Sequence, residues 1–137
     1  MKRRLARSFA LQLLFQYDFT HINTAELLDE FWKERKADKS VKEFANEIFT
    51  GTVNNIGHID DTIKKTAEHW VLGRMAIVDR NILRLASYEI LFRDDIPAVV
   101  SIDEAIEIAK KYSSTESSSF INGILDKISK NHQKVGN

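Results

Sequence analysis

The sequence predicts an all-α protein: a helical bundle of about seven helices, in two antiparallel sub-bundles sharing one core. Three observations carry that expectation. The 137 residues include one proline and five glycines, so few positions interrupt a helix. Apolar residues recur at three- and four-residue spacing along most of the chain. No segment alternates apolar and polar residues between turn signals, as paired strands do.

The elements follow in order. The first helix runs from about Arg3 to Phe19, with Leu5, Ala6, Phe9, Ala10, Leu13 and Tyr17 on its core face. Asn23 or Thr24 caps a second, with Leu27, Leu28, Phe31 and Trp32 inward. "KERKADKS" is a solvated turn. Ser40 with Glu43 has the spacing of a capping box for a third helix, whose stripe is Val41, Phe44, Ala45, Ile48, Phe49, Val53 and Ile56. Gly57 marks a bend, after which Ile59, Ile63 and Ala67 continue a shorter helix. The stretch "EHWVLGRMAIVD" is a loop, and the joint at 68–75 is where the sub-bundles should divide. Ala76 to Arg93 is densely apolar and is the expected central helix. Pro97 breaks the chain after "RDDI". Ser101 and Glu104 form a second capping-box pattern, ahead of Ala105, Ile106, Ile108, Ala109 and Tyr112. "SSTESSS" is a polar connector. A last helix carries Phe120, Ile121, Ile124, Leu125 and Ile128, and the tail from Lys130 should fray. One domain, residues 1–137, is expected.

Composition narrows the function classes. The chain is long enough to bury a core without staples. It has no cysteine, which removes disulfides and thiolate metal sites and fits a reducing compartment. No apolar run reaches the roughly 18 residues of a spanning helix. The basic start does not continue as a signal peptide, because Ser8, Gln12 and Gln16 interrupt the apolar stretch. A soluble cytoplasmic protein without membrane contact is expected.

Catalytic and metal motifs are missing. The four histidines, His21, His58, His69 and His132, never fall at i, i+4. "HIDD" at 58–61 offers His58, Asp60 and Asp61, but adjacent carboxylates on a helix point apart, and a solvated helix start accounts for them. "GTVNNIG" lacks the glycine spacing and lysine of a phosphate loop. The serines of "SSTESSS" sit in no nucleophile elbow. Asp94 and Asp95 are turn residues before Ile96-Pro97. A binding protein is expected, with no catalytic residue, metal or cofactor.

Charge gives the positive signal. Lys2, Arg3, Arg4 and Arg7 precede every acid, leaving 16 basic against 20 acidic residues in the remainder. A basic tip on a mildly acidic body suits a local anion site. At about 3.6 residues per turn, Arg4, Arg7, Leu11 and Phe15 fall on one stripe, roughly opposite the core face. Guanidinium groups neutralise phosphates and an aromatic ring stacks on an unpaired base, a combination suited to single-stranded RNA. The alternative is packing of Leu11 and Phe15 against the second sub-bundle, with the arginines as a solubilising tip.

"RRLARSFALQLLFQYD", "VDRNILRLASYEI" and "IPAVVSIDEAIEIAKKYSSTESSSFINGILDKI" together resemble the NusB family of bacterial transcription antitermination factors. The resemblance covers nearly the whole chain, in order; the second and third stretches in succession are the specific part. It implies an all-helical fold of two sub-bundles. It also implies binding of boxA, a single-stranded element of ribosomal RNA leaders, together with NusE, a small-subunit ribosomal protein, in an RNA polymerase antitermination complex. The same fold occurs fused ahead of an RNA cytosine methyltransferase; no such domain follows here, so a stand-alone factor is expected.

The resemblance also assigns residues. Lys2, Arg3, Arg4 and Arg7 match the family's basic start. Phe15 stands where tyrosine is frequent, keeping stacking without a hydroxyl. "SSTESSSF" occupies a second RNA-contacting segment, in which Ser117 replaces an acid of some members. Phe120 and Asn122 match a Phe-Val-Asn-Gly pattern, and core packing is the other reading of Phe120. Lys110 and Lys111 add phosphate contacts, one of them facing plain solvent. Asp79 matches an acid at the NusE interface, flanked by Arg74 and Arg80; its other reading is a helix-dipole acid. The free protein is expected as monomer or homodimer. The competing function is a helical adaptor whose basic tip binds an acidic partner instead of RNA.

Overall fold

The computed structural model describes residues 2–68 and 71–136, with side chains as far as residue 132. Among the described residues, seven α-helices follow one another: α1 (Arg3–Thr20), α2 (Thr24–Lys33), α3 (Lys39–Asn54), α4 (Ile56–Thr66), α5 (Ile77–Phe92), α6 (Ala98–Tyr112) and α7 (Thr115–Gly136). A 3-10 turn, Leu72–Arg74, leads into α5, and the described residues contain no strand. The all-α expectation holds.

Local chemistry sets most boundaries. α1 ends at His21, held left-handed at φ 56° and ψ 26°, whose N–H donates to the Tyr17 carbonyl at 2.8 Å. Asn23 caps α2: its Oδ1 accepts from the Ala25 and Glu26 N–H groups at 2.9 and 3.3 Å. Neither capping box forms. α3 already starts at Lys39, so Ser40 lies inside it. α6 starts at Ala98 behind Pro97, which has no N–H to satisfy; Ser101 and Glu104 serve partners on other helices. The bend assigned to Gly57 occurs at Asn55, whose side-chain amide donates to the Gly51 carbonyl at 2.8 Å, and Gly57 is interior to α4. The polar connector shrinks to Ser113 and Ser114, because Ser114 Oγ accepts the Ser117 N–H at 3.0 Å and so caps α7. α7 itself continues past Lys130 to Gly136.

Two buried clusters make the core. One gathers the inner faces of α1, α2 and α3 with Leu85 and Ile96; the other gathers α4 to α7 with Leu11. α5 lies along the seam, sending Leu85 to the first cluster and Ile82, Leu83, Ala86 and Ile90 to the second. Ten of its 16 residues are buried, so it is the central helix the sequence predicts. The chain crosses between clusters at Asn55, ahead of the 68–75 joint; Ala67 and Leu72 on either side of that joint both belong to the second cluster. His69 and Trp70 lie outside the described residues. Tyr88 packs against both clusters, and a Cβ on Gly51 would fall inside its ring, so α3 and α5 close up only over glycine.

α1 is gripped from two sides, and this alters its expected core face. Ala6, Ala10, Leu13 and Leu14 face the first cluster and Leu11 the second. Leu5, expected inside, is exposed, while Phe9 and Tyr17 are half-buried. A helix with two packing neighbours buries a wider arc than the single stripe of an amphipathic surface helix.

Candidate nucleic-acid interface

The basic tip of α1 is largely spent inside the molecule. Arg7 is 3% exposed. Its Nε and Nη2 donate to both Glu89 oxygens at 2.9 and 2.8 Å, and Ser101 Oγ donates to the same carboxylate at 2.8 Å. The expectation that Arg7 touches RNA is therefore corrected: its side chain is turned inward, beneath α5 and α6, where Glu89 binds it. A bidentate pair of this kind satisfies two groups that would each be costly buried alone. Glu89, a lone acid in the apolar run of α5, was the available signal that a buried cation is needed.

Arg4 stays at the surface but is engaged, with Nε and Nη2 donating to Glu104 at 3.1 and 2.6 Å. That hydrogen bond holds the Glu104 carboxyl below its ordinary pKa against the opposing effect of burial, and the charges of Arg4 and Arg7 add to it. Arg3 lies 4.5 Å over the Phe44 ring. Lys2 is exposed.

Phe15 resolves to the surface. It is 41% exposed and lines a groove of about 200 Å³ with Leu11, Gln12, Val78 and Tyr112. Tyr112 is likewise exposed, and the Lys111 ammonium stands 5.1 Å from its ring centre. Two aromatic rings thus border one apolar groove, with a cation at its edge. Tyr112 was placed in the α6 stripe from its spacing; the missed signal is an aromatic ending a helix beside two lysines. Lys110 turns toward Glu107 at 3.9 Å.

A second cleft, of about 600 Å³, opens where α5 begins and α7 begins. Arg74, Asp79, Ser114, Glu116, Ser117 and Phe120 line it. Residues assigned by resemblance to the partner, Arg74 and Asp79, thus share a wall with two assigned to RNA, Ser117 and Phe120. Asp79 is 9% exposed in the first turn of α5, a helix whose N-cap, Ala76, has no capping side chain. Its Oδ2 accepts from Ser117 Oγ at 2.8 Å, and Ser114 Oγ lies 3.1 Å from Ser117 Oγ. Phe120 is half-buried, touching the core cluster from the cleft side.

Arg80 and Asn122 fall elsewhere. Arg80 Nε donates to Asp18 at 2.7 Å, so this flank of Asp79 is turned toward α1 and away from the cleft. Asp18 also accepts from Asn81 at 3.1 Å and lies 3.2 Å from Arg84. Burial pushes the Asp18 carboxyl up, but these hydrogen bonds and charges outweigh it and its pKa falls below the ordinary value. Asn122 is in a separate groove with Asp103 and Asp126. Of the "HIDD" residues, Asp60 binds Arg84 through both oxygens at 2.8 and 3.0 Å, and His58 sits edge-on to Phe92. Among the described residues, no three His, Asp or Glu side chains are placed to hold a metal ion, and no helix is long and apolar enough to cross a membrane.

Known proteins agree with this architecture. The family model described as the NusB family matches residues 4–130. A transcription antitermination protein NusB of Desulfitobacterium hafniense is 52% identical, over 93% of this chain and 88% of its own. The solved T. maritima NusB superposes with a TM-score of 0.87 at 44% identity, covering 96% of this chain and 93% of that one. A crystal structure of the antitermination factors NusB and NusE in complex with dsRNA matches with a TM-score of 0.86 at 29% identity, covering 96% and 99%. With the family model spanning nearly the whole helical region, the chain belongs to the NusB family.

Proposed function

We propose that this chain is a transcription antitermination factor that binds boxA-type single-stranded RNA of ribosomal RNA leaders together with NusE, and helps RNA polymerase read through terminators. The work is done in the cytoplasm, by binding alone; the NusB family is one of RNA-binding factors and not of enzymes. The solved complex of NusB and NusE with dsRNA supports RNA and NusE as partners. The observation that carries the reading is the open groove between Phe15 and Tyr112 with Lys111 at its rim. An unstacked base fits between aromatic walls, and Lys2, Arg3 and Lys111 supply the phosphate contacts. Ser117 and Phe120 extend the RNA path, and Arg74 and Asp79 face the protein partner. Arg4 joins only by releasing Glu104. The adaptor reading loses support, because the tip's Arg4 and Arg7 are already bound to acids of this chain.

Filter binding tests the proposal with four arms: a boxA-like strand with and without the ribosomal protein, a scrambled strand, and a duplex of the boxA-like sequence. Tightest binding is expected for the boxA-like strand with the ribosomal protein. Equal affinity for all RNAs, unaffected by the ribosomal protein, contradicts it.

A further inference from the structure

Asp79 is a nearly buried carboxylate that is only half used. An ionised carboxylate offers about four acceptor positions. Oδ2 takes the Ser117 hydroxyl at 2.8 Å, whereas Oδ1 is buried and accepts no hydrogen bond in the structure. Groups of this kind nearly always find a donor, because an unpaired one forfeits its hydration for nothing. Arg74 lines the same cleft without reaching Oδ1. Glu116 lines it too, so two carboxylates face one space. With Arg74 beside them these charges sum to one negative, which favours a cationic side chain at the Asp79 wall.

Ser117 decides how the carboxylate is presented. Its backbone N–H is held by Ser114 Oγ, which is also 3.1 Å from its hydroxyl oxygen, so the Ser117 hydroxyl hydrogen is directed at Asp79. We propose that Ser117 is a positioning residue: by holding Oδ2 it fixes Asp79 in the cleft wall, where a lysine or arginine of the ribosomal-protein partner supplies the donor that the carboxylate lacks. The inference rests on the functional reading above and adds to it that a residue assigned to RNA acts through a residue assigned to the protein.

The test is calorimetric titration of the ribosomal protein, without RNA, into the wild-type chain and the variants Ser117→Ala, Ser117→Thr, Asp79→Ala and Ser117→Ala/Asp79→Ala, with a melting curve for each. Ser117→Ala is expected to weaken partner binding roughly two- to tenfold, the value of one hydrogen bond. Ser117→Thr restores it, and Ser117→Ala adds no further loss once Asp79 is alanine. A merely structural serine would shift the melting curve without this dependence on Asp79. The inference is overturned if Ser117→Ala leaves partner affinity unchanged, if its loss persists in full beside Asp79→Ala, or if the loss appears only in RNA titrations. Failure of the wild-type chain to bind the ribosomal protein would overturn the functional reading and this inference together; an unchanged Ser117→Ala variant of a competent wild type would overturn this inference alone.

Discussion

Arg7 and Phe15 stand about two turns apart on the same helix, and their surroundings are opposite. Arg7 is sealed under α5 and α6 with both Glu89 oxygens bound, while Phe15 opens onto a groove. Arg4 and Leu11 repeat the contrast, one at the surface and one in the core. The difference comes from the clamping of α1 between two clusters, which places the edge of the buried arc within the stripe itself. Residues three or four apart differ by about 60° or 40° around a helix. That angle is enough to separate a residue that holds the fold from one that meets a ligand.

The largest effect is expected at Arg7. Arg7→Met leaves Glu89 buried without its cation, at a cost of about 3–5 kcal/mol. Thermal melting should register a fall on the order of 10 °C, while the folded protein keeps its RNA affinity. Intact melting with lost RNA binding would invert the contrast.

Next is the seam that gives α1 its two neighbours. Gly51→Ala drives a methyl group into the Tyr88 ring and should cost about 1–3 kcal/mol by denaturant unfolding. Gly57→Ala meets open space inside α4 and should stabilise by up to about 1 kcal/mol. Equal effects at the two glycines would remove Tyr88 as the contact joining the clusters.

Much of this was legible from sequence, and the gaps have particular causes. α5 was visible as central because its apolar residues run all round. Asn23 was readable as a cap because nothing else competes for its side chain. The two capping boxes failed where tertiary structure did compete: Ser101 and Glu104 have the right spacing, but Glu89 and Arg4 claim them. Phe15 was left open between groove and core, since both readings require the same spacing. Arg7 was misassigned because Glu89, its partner, is 82 residues away in the chain. The Asp79–Ser117 bond is another long-range pairing that periodicity does not reveal.

Acid should loosen the fold modestly. The folded pKa of Asp18 is lowered, that of Glu104 is lowered by Arg4, and that of Asp95 is lowered by Arg93 to about 2. Depressed carboxyls contribute stability above their unfolded values, about 3.9 for Asp and 4.3 for Glu, and lose it as pH falls through the folded values. Melting temperature should be level above about pH 5 and decline below about pH 4. Asp18→Asn should flatten part of that decline; an unchanged profile would detach the Asp18 cluster from the stability of α1.

The smallest effect concerns salt. With Arg7 buried and Arg4 engaged, about three phosphate contacts remain, giving a log–log slope of RNA affinity near −2 for a single strand. All four tip residues together with Lys111 would make about five contacts and a slope near −3.5. The steeper slope would mean that the Arg4 and Arg7 pairs open on binding.

The central claim is that α1 divides its labour, with Phe15 a platform for RNA and the residues behind it core. Paired melting and RNA-binding curves for Phe15→Ala, with Phe9→Ala as internal control, test it most directly. Phe9 packs edge-on against Phe31 and Trp32, so its loss should cost toward the lower end of the roughly 3–5 kcal/mol of a buried ring. Phe15→Ala should change stability by under about 1 kcal/mol and weaken RNA binding by about 1–3 kcal/mol. Early melting of both variants, or full RNA affinity in a stable Phe15→Ala, would contradict the account.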